Sequence, residues 1–301
     1  MRAGWILFGG AVAAALLPWS PYHSSLVTMA LLFGLLAASW HLLALGGRLS
    51  FGHAAFFGVG AYASALLASR SGLDVWAAVP GGGLAAAAVA LPVGALSLHL
   101  KGPYFSLATF AAAEILRILT TQWTSLTGGT WGLIGLPPLP AKGSLLAAGG
   151  IGAVLLVHVF LGRSRWGLAL AALRQQQERA EGLGVPSRPL LFAALATSAA
   201  FAGLAGALYA HHVRSLEPAT AFSLLFSVLP LVMTLFGGMA SPAGPLLGAG
   251  ILYFLDELLL QPRFPMGHQL LYAAAILLVL LGAPEGLAGL ARRRGGERGA
   301  P

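Results

Sequence analysis

The chain has 301 residues, and its composition excludes most classes of soluble protein. Apolar residues make up 57% and charged residues only 9%, against about 25% charged in an ordinary soluble domain, which leaves too little polar surface to cover a water-soluble globule. The apolar content also excludes intrinsic disorder. The net charge of +8 would suggest nucleic-acid binding in a soluble protein. Here the basic residues fall mostly between apolar segments, so we expect no nucleic-acid partner and interpret them as orientation signals.

Ten apolar segments follow one another along the chain, and most are about as long as the roughly 20 residues that a membrane-spanning helix needs. They lie at 4–18, 24–45, 51–69, 75–98, 103–120, 143–162, 190–212, 219–239, 243–260 and 268–283. Because some are short or interrupted by glycine, we expect about 8–10 spans, with some of them broken or re-entrant. No soluble domain interrupts them. Residues 1–301 are therefore predicted to form a single all-α domain, a polytopic transmembrane helical bundle.

Two polar stretches rich in arginine predict the orientation of this bundle. One is 163–189 and the other is the tail at 285–301, and the positive-inside rule places both in the cytoplasm. The four apolar segments between them are an even number, which agrees with both stretches lying on the same side.

The first of these stretches contains a predicted cytoplasmic helix at 166–184. Gly184 suits a C-cap, and Pro186 and Pro189 prevent the helix from continuing. Its apolar stripe is built from small residues, whereas a helix that lies on lipid usually carries large ones. The pattern favours a contact in the groove of a partner protein.

Motifs for catalysis, metal binding and nucleotide binding are not found in this sequence. It has no cysteine, no His-Glu-x-x-His and no Gly-x-Ser-x-Gly. A P-loop needs Gly-Lys-Ser/Thr, but each of the two lysines, Lys101 and Lys142, is followed by glycine. We therefore expect no cofactor, no metal and no enzymatic activity, and any ATP-driven process must use ATP bound by another polypeptide.

Several polar residues are candidates for a translocation path. Glu114 and Arg117 lie three apart on one predicted helix, and a charge in the bilayer costs about 2.5–3.5 kcal/mol on insertion scales. They form either a self-compensating pair or part of an aqueous path. Two glycine-broken stretches, 46–53 and 237–245, resemble the interrupted helices of transport sites, and a polar loop follows at 123–132. The candidate path residues are Ser50, His53, Glu114, Thr127, Gly128 and Gly129.

Six sequence blocks, which fall within residues 30–285, carry a likeness to a known family. They are Leu49-Ser50-Phe51-Gly52-His53 through Tyr62, Lys101-Gly102-Pro103-Tyr104-Phe105 through Arg117, Leu126-Thr127-Gly128-Gly129 through Pro137, Arg165-Trp166-Gly167 through Gly184, Phe201 through Ala210, and Gly237-Gly238 through Gly248. In these blocks the chain resembles the LivM-type permeases of branched-chain amino-acid ABC importers.

The resemblance implies an ABC importer permease fold and a multi-pass protein of the bacterial cytoplasmic (inner) membrane. The implied partners are a second, LivH-like permease, two ABC ATPase subunits and an extracytoplasmic substrate-binding protein, besides membrane lipid. The implied substrates are leucine, isoleucine and valine, carried by alternating access. Urea, short amides or other amino acids are the alternatives within the same architecture. An ion-coupled carrier and an intramembrane enzyme are the alternatives outside it.

The same resemblance makes the 163–189 stretch the coupling loop that docks on the ATPase. The implied coupling residues are Arg174, Glu178, Ala180, Glu181 and Gly184. The sequence departs from the family pattern at Gln175–Gln177, where acids are common, and at Arg179 and Gly182, where alanine is usual. These departures bear on which ATPase the chain matches.

Overall fold

The computed structural model is a bundle of helices, as the sequence predicts. It describes residues 2–17, 20–140 and 142–267, together with residues 273, 274, 277, 281, 286 and 287. The tenth predicted segment, 268–283, and the predicted tail, 285–301, lie outside the described residues apart from those isolated positions.

Each of the first nine predicted segments contains a helix. The helices are α1 (Arg2–Leu16), α2 (Pro21–Ala44), α3 (His53–Arg70), α4 (Val75–Ser97), α5 (Pro103–Gln122), α6 (Thr124–Thr127), α7 (Ser144–Arg163), α8 (Arg165–Gly182), α9 (Ser187–Val213), α10 (Pro218–Ala221), α11 (Leu225–Gly237), α12 (Gly244–Phe254) and α13 (Gln261–Arg263). A 3₁₀ turn covers Gly129–Trp131, and a π-helical turn at Leu255–Leu260 joins α12 to α13. Two short strands, β1 (Leu133–Ile134) and β2 (Ser215–Leu216), pair in antiparallel fashion.

Six helical segments of the described chain are long and apolar enough to cross a membrane. They are Pro21–Ala44, Val75–Ser97, Ser144–Arg163, Ser187–Val213, Pro218–Gly237 and Ala243–Arg263. Helices α3 and α5 are outside this set. Helix α3 is buried along most of its length by neighbouring helices, and α5 carries Glu114 and Arg117. The chain is therefore a multi-pass membrane protein.

Helix α9 lies at the centre of the bundle and packs against α2, α3 and α4. Its contact with α3 is made through small residues: a Cβ atom on Gly60 would collide with the backbone of Gly203. In lipid, helices associate through such close backbone approach, since burial of apolar surface gives no net driving force between them. The small residues that recur along α3 and α9 thus pack the bundle.

The two ends of the bundle have different structures. At one end, which we call the α8 end, the α2–α3 loop, the α4–α5 loop and α8 come together. At the other, the β end, Arg70 donates hydrogen bonds to the carbonyls of Ser125 and Leu126, and β1 pairs with β2. The positions of the predicted site residues are given relative to these two ends.

Candidate functional site

Helix α8 is set against the ends of α7 and α9 by a sharp corner. The hydroxyl of Ser164 accepts a hydrogen bond from the backbone N–H of Gly167 at 3.3 Å, which caps the first turn of the helix. Leu170, Leu173 and Ala180 are buried against the bundle. The small apolar face that the sequence suggested for a partner groove is thus covered largely by the chain itself.

Helix α8 is broken in the middle, where the sequence predicted a continuous helix. Gln176 has φ −157° and ψ 101°, which is extended backbone that interrupts the helical hydrogen bonds. The break adjoins the α2–α3 loop, where Gly47 (φ +76°) approaches so closely that a Cβ atom would lie 2.9 Å from the Cα of Arg174. Contact with this loop, and not a helix-breaking residue, accompanies the break.

The C-terminus of α8 is formed as predicted. Gly184 adopts φ +86°, a left-handed conformation that favours glycine. Its N–H bonds the carbonyl of Glu181 at 2.9 Å, and the N–H of Val185 bonds that of Ala180 at 3.0 Å. This is the Schellman arrangement that ends many helices.

Four of the five predicted coupling residues are exposed at the α8 end, and the fifth, Ala180, is buried. Glu178 forms an ion pair with Lys101 of the α4–α5 loop at 2.8 Å. The hydrogen bond from Lys101 lowers the pKa of the Glu178 carboxyl. Glu181 accepts hydrogen bonds from Ser187 and from Gln177, at 2.5 and 2.8 Å, and these lower the pKa of its carboxyl. Both carboxylates are therefore ionised at neutral pH.

Arg48 ties the loops of the α8 end together and was missed as a candidate. It is only 5% exposed and donates hydrogen bonds to the carbonyls of Leu98 and Leu100 and to Oε1 of Gln177. Its guanidinium carbon lies 5.4 Å from the ring centroid of Phe105. A lone arginine between two apolar segments, directly after Gly46-Gly47, is the sequence signal that could have identified it.

The second glycine-broken stretch, 237–245, also lies at the α8 end. His41 bonds Nε2 of His158 through its Nδ1 at 2.9 Å, and its own Nε2 lies 3.1 Å from the carbonyl oxygen of Met239. A cavity of about 570 Å³ next to this pair separates α8 from the loop and is also lined by Arg174 and Ser241. Both glycine-broken stretches thus border α8.

Glu114 and Arg117 form an ion pair, which is one of the two alternatives that the sequence left open, with Arg117 Nε 2.9 Å from Glu114 Oε1. Their side chains remain 43% and 32% exposed, and both line a pocket of about 320 Å³. The pocket is also lined by Phe51, Phe110, Ala54, Phe222, Ser223 and Ser227.

Two broken helices meet at this pocket. Helix α3 begins there, and the N–H of Ala54 in its first turn donates to the hydroxyl of Ser227 at 2.9 Å. The chain also breaks there between α10 and α11. The pocket therefore combines one positive charge, one negative charge, hydroxyl groups and aromatic side chains. The sequence signal for Ser227 and Phe222 was weak, because both lie inside an apolar segment.

Ser50 and His53 lie close to this region but do not line the pocket. Both are fully buried. The carbonyl of Ser50 accepts a hydrogen bond from Trp40 Nε1 at 2.9 Å. His53 Nε2 bonds the hydroxyl of Ser198 at 2.9 Å, and this hydroxyl donates its proton to the carbonyl of Ser39. These contacts hold the start of α3 in the bundle.

Thr127, Gly128 and Gly129 lie at the β end, away from the other candidates. The hydroxyl of Thr127 hydrogen-bonds the carbonyls of Thr120 and Trp123, and both glycines have positive φ. They form a tight turn after α5. The structure thus does not bring the six predicted path residues together, and only Glu114 lines the pocket.

Comparison with known proteins decides the family. The family model described as "Branched-chain amino acid transport system / permease component" matches residues 22–281. The chain belongs to this family. The match includes nearly all of α2 and the whole of α3 to α13, and with them α8 and the pocket.

Named relatives within this permease family are found in bacteria and an archaeon. The chain is 30% identical over 283 residues to the high-affinity branched-chain amino acid transport system permease protein LivM of Escherichia coli, which covers 83% of this chain and 66% of the relative. It is 29% identical over 300 residues to the protein of the same name from Salmonella typhimurium, covering 89% and 70%. A probable LivM of Methanocaldococcus jannaschii is 25% identical over 214 residues, covering 64% and 61%. The chain thus spans just under two thirds of the length of the Escherichia coli relative.

Proposed function

We propose that this chain is one permease subunit of an ABC importer that moves leucine, isoleucine and valine across the cytoplasmic membrane of a bacterium. The observation that carries the proposal is the family match from 22 to 281, because it spans most of the described helices. The names of the relatives supply the substrate class, which is branched-chain amino acids. The residues of the pocket and of α8 supply a physical account of how such a subunit works.

The pocket at Glu114 and Arg117 is chemically complementary to an amino acid with an apolar side chain. A free amino acid carries a carboxylate and an ammonium group side by side, and Arg117 and Glu114 present the complementary charges. Phe51, Phe110 and Phe222 offer an apolar surface for an aliphatic side chain. Urea and short amides carry no charge and would form no ion pair with Arg117 or Glu114, so the pocket favours amino acids over these two alternatives.

Helix α8 is the proposed contact with the motor. Arg174, Glu178, Glu181 and Gly184 present an exposed polar surface at one end of the bundle, and their orientation is fixed by Lys101, Ser187 and Arg48. An ATPase that binds this surface would pull on two loops at once, because Arg48 joins the α2–α3 and α4–α5 loops to α8. Closure of the ATPase dimer would then shift the bundle between inward-open and outward-open states.

The proposed partners follow from this division of labour. Two ATPase subunits bind the ATP, a LivH-like permease supplies the other half of the path, and an extracytoplasmic binding protein delivers the substrate. The chain itself holds no cofactor in this scheme.

The substrate is tested with the binding protein that pairs with this permease and with the assembled importer. Calorimetric titration of that binding protein should give tight binding of leucine, isoleucine and valine and none of urea. The importer in proteoliposomes should show the same preference in uptake. Binding of urea with no binding of the three amino acids would overturn the substrate assignment and leave the permease assignment standing.

A further inference from the structure

An apolar groove of about 500 Å³ opens on the outside of the bundle where α7, α8 and α9 meet. Its walls include Phe160 of α7, Trp166 of α8, and Pro189 and Ala193 of α9, and Phe160 is 60% exposed. Apart from the indole N–H of Trp166, the only polar group in the lining is the hydroxyl of Thr197, which is occupied by a hydrogen bond to the carbonyl of Ala193 at 2.7 Å. The groove therefore presents hydrocarbon along its length.

The depth of the groove fits one leaflet of a bilayer. From Pro189 to Thr197 helix α9 rises about 12 Å, at 1.5 Å per residue. The hydrocarbon core of a bilayer is about 30 Å thick, so the groove covers most of the acyl region of the leaflet on the α8 side. A water-soluble ATPase docked at α8 would not reach this part of the surface.

Positive charge surrounds the mouth of the groove. Arg163 ends α7, Arg165 begins α8 and Arg188 lies in the first turn of α9, and all three are exposed. Within the described part of the chain none of them forms an ion pair. Glu181 is near enough to Arg188 to feel its charge, but it is hydrogen-bonded to Ser187 and Gln177.

Trp166 joins the apolar groove to the charged mouth. The guanidinium carbon of Arg165 lies 5.2 Å from the centroid of the Trp166 ring, which forms part of the groove wall. In the described residues the indole N–H of Trp166 has no hydrogen-bond partner. A cation is therefore held against a ring of the groove wall that also carries an indole N–H.

We propose that this groove is a binding site for an anionic phospholipid. One acyl chain lies along α9 between Phe160 and Ala193, and the phosphate lies at Arg165 and Arg188 with the Trp166 N–H. Basic pockets between helices at the cytoplasmic side of a membrane protein bind such headgroups. The bound lipid bridges α7, α8 and α9 and so supports the first half of the coupling helix.

Native mass spectrometry of the full chain in mild detergent tests the headgroup. The chain is mixed with dioleoylphosphatidylglycerol or dioleoylphosphatidylcholine, and we expect retention of the anionic lipid to be about ten-fold higher, given the contribution of each basic residue near an anionic headgroup. Arg165→Gln combined with Arg188→Gln should remove most of this preference. Arg263→Gln, which changes an exposed arginine in α13, should leave it unchanged. Glycerol phosphate, which has the headgroup but no acyl chain, should not compete at the same concentration.

Equal retention of the two lipids by the native chain would overturn the proposal. So would an unchanged preference in the double variant, or full competition by glycerol phosphate.

A photocrosslinker in native membranes identifies the occupant independently of these variants. Ala193→p-benzoylphenylalanine places the probe on the exposed wall of the groove, and illumination should yield a lipid adduct identified by mass. An adduct to another polypeptide as the main product would show that protein covers the groove, and the proposal would be wrong.

Discussion

Arg48 is the residue at which we expect the largest single loss of stability at the α8 end. Arg48→Ala would leave the buried carbonyl of Leu98, the half-buried carbonyl of Leu100 and Gln177 without their donor, and each hydrogen bond to a charged group contributes about 1.5–3 kcal/mol. The apparent melting temperature of the purified chain in detergent should fall by several degrees. Arg70→Ala is the matched control, because Arg70 also donates to two carbonyls, Ser125 and Leu126, but is exposed. Equal effects of the two variants would contradict the role given to Arg48.

Variants of Glu114 and Arg117 can show whether this ion pair stabilises the bundle or binds the substrate. Glu114→Gln alone leaves Arg117 without its partner, and we expect uptake by the assembled importer to fall by about ten-fold or more. The double variant Glu114→Gln, Arg117→Gln removes both charges and so leaves no unpaired charge. The protein should therefore insert and assemble normally.

Uptake is the readout that decides this question. If the pair faces the substrate, the double variant stays inactive despite normal assembly. Recovery of uptake in the double variant would show that the pair serves the bundle and not the amino acid.

Glu181 carries the coupling prediction at the scale of helix α8. Glu181→Arg should leave membrane insertion intact and uncouple ATP hydrolysis from uptake, since it reverses the charge of the exposed surface and removes the acceptor for Ser187 and Gln177. Glu181→Gln is the control, because its amide oxygen still accepts a hydrogen bond. Insertion is checked by membrane fractionation, and ATPase and uptake rates are measured together in proteoliposomes. Normal uptake by Glu181→Arg would refute the coupling role.

The lowered pKa of the Glu181 carboxyl predicts how its contacts with Ser187 and Gln177 depend on pH. Because this pKa is lowered, the contacts of the carboxylate are present above the usual value of about 4.3 and are lost only as the pH falls below it. The coupling ratio of the native protein should therefore not change through Glu181 between about pH 6 and pH 8. A ratio that titrates near neutrality in the native protein but not in Glu181→Gln would contradict this.

The opposite locations of the two ends can be measured directly because the chain contains no cysteine. Leu183→Cys and Trp131→Cys place single thiols at positions that are 86% and 84% exposed, one at the α8 end and one at the β end. A membrane-impermeant maleimide should label Cys at 131 in right-side-out vesicles and Cys at 183 only in inverted vesicles. Labelling of both from the same side would contradict the arrangement.

The positions of the helices were largely predictable from the sequence, but the break within α8 was not. Apolar length locates α2, α7 and α9, and glycine chemistry locates the end of α8 at Gly184. The break at Gln176 arises where a distant loop approaches through Gly47, which no local pattern records. The pocket likewise depends on Ala54 meeting Ser227, two residues far apart in the chain. Sequence identified Glu114 and Arg117 because charges in apolar segments are rare, but it could not show that Thr127–Gly129 lie at the other end.

At the scale of the whole molecule, we propose a membrane path that takes its energy from partner subunits. The family match and the exposed polar surface of α8 support this proposal. The exposed surface of α8 and the pocket lie on different helices, and Arg48 links α8 to the loops from which α3 and α5 begin. In the proposed mechanism, movement of α8 would reach the pocket through the starts of these two helices.

Uptake of radiolabelled leucine into proteoliposomes tests this claim most directly. The chain is reconstituted with the second permease, the two ATPase subunits and the binding protein, and in parallel alone, with and without ATP and with an imposed proton or sodium gradient. We predict accumulation by the full assembly only when ATP is supplied, and none by the chain alone. Accumulation by the chain alone, driven by an ion gradient without ATP, would contradict the account.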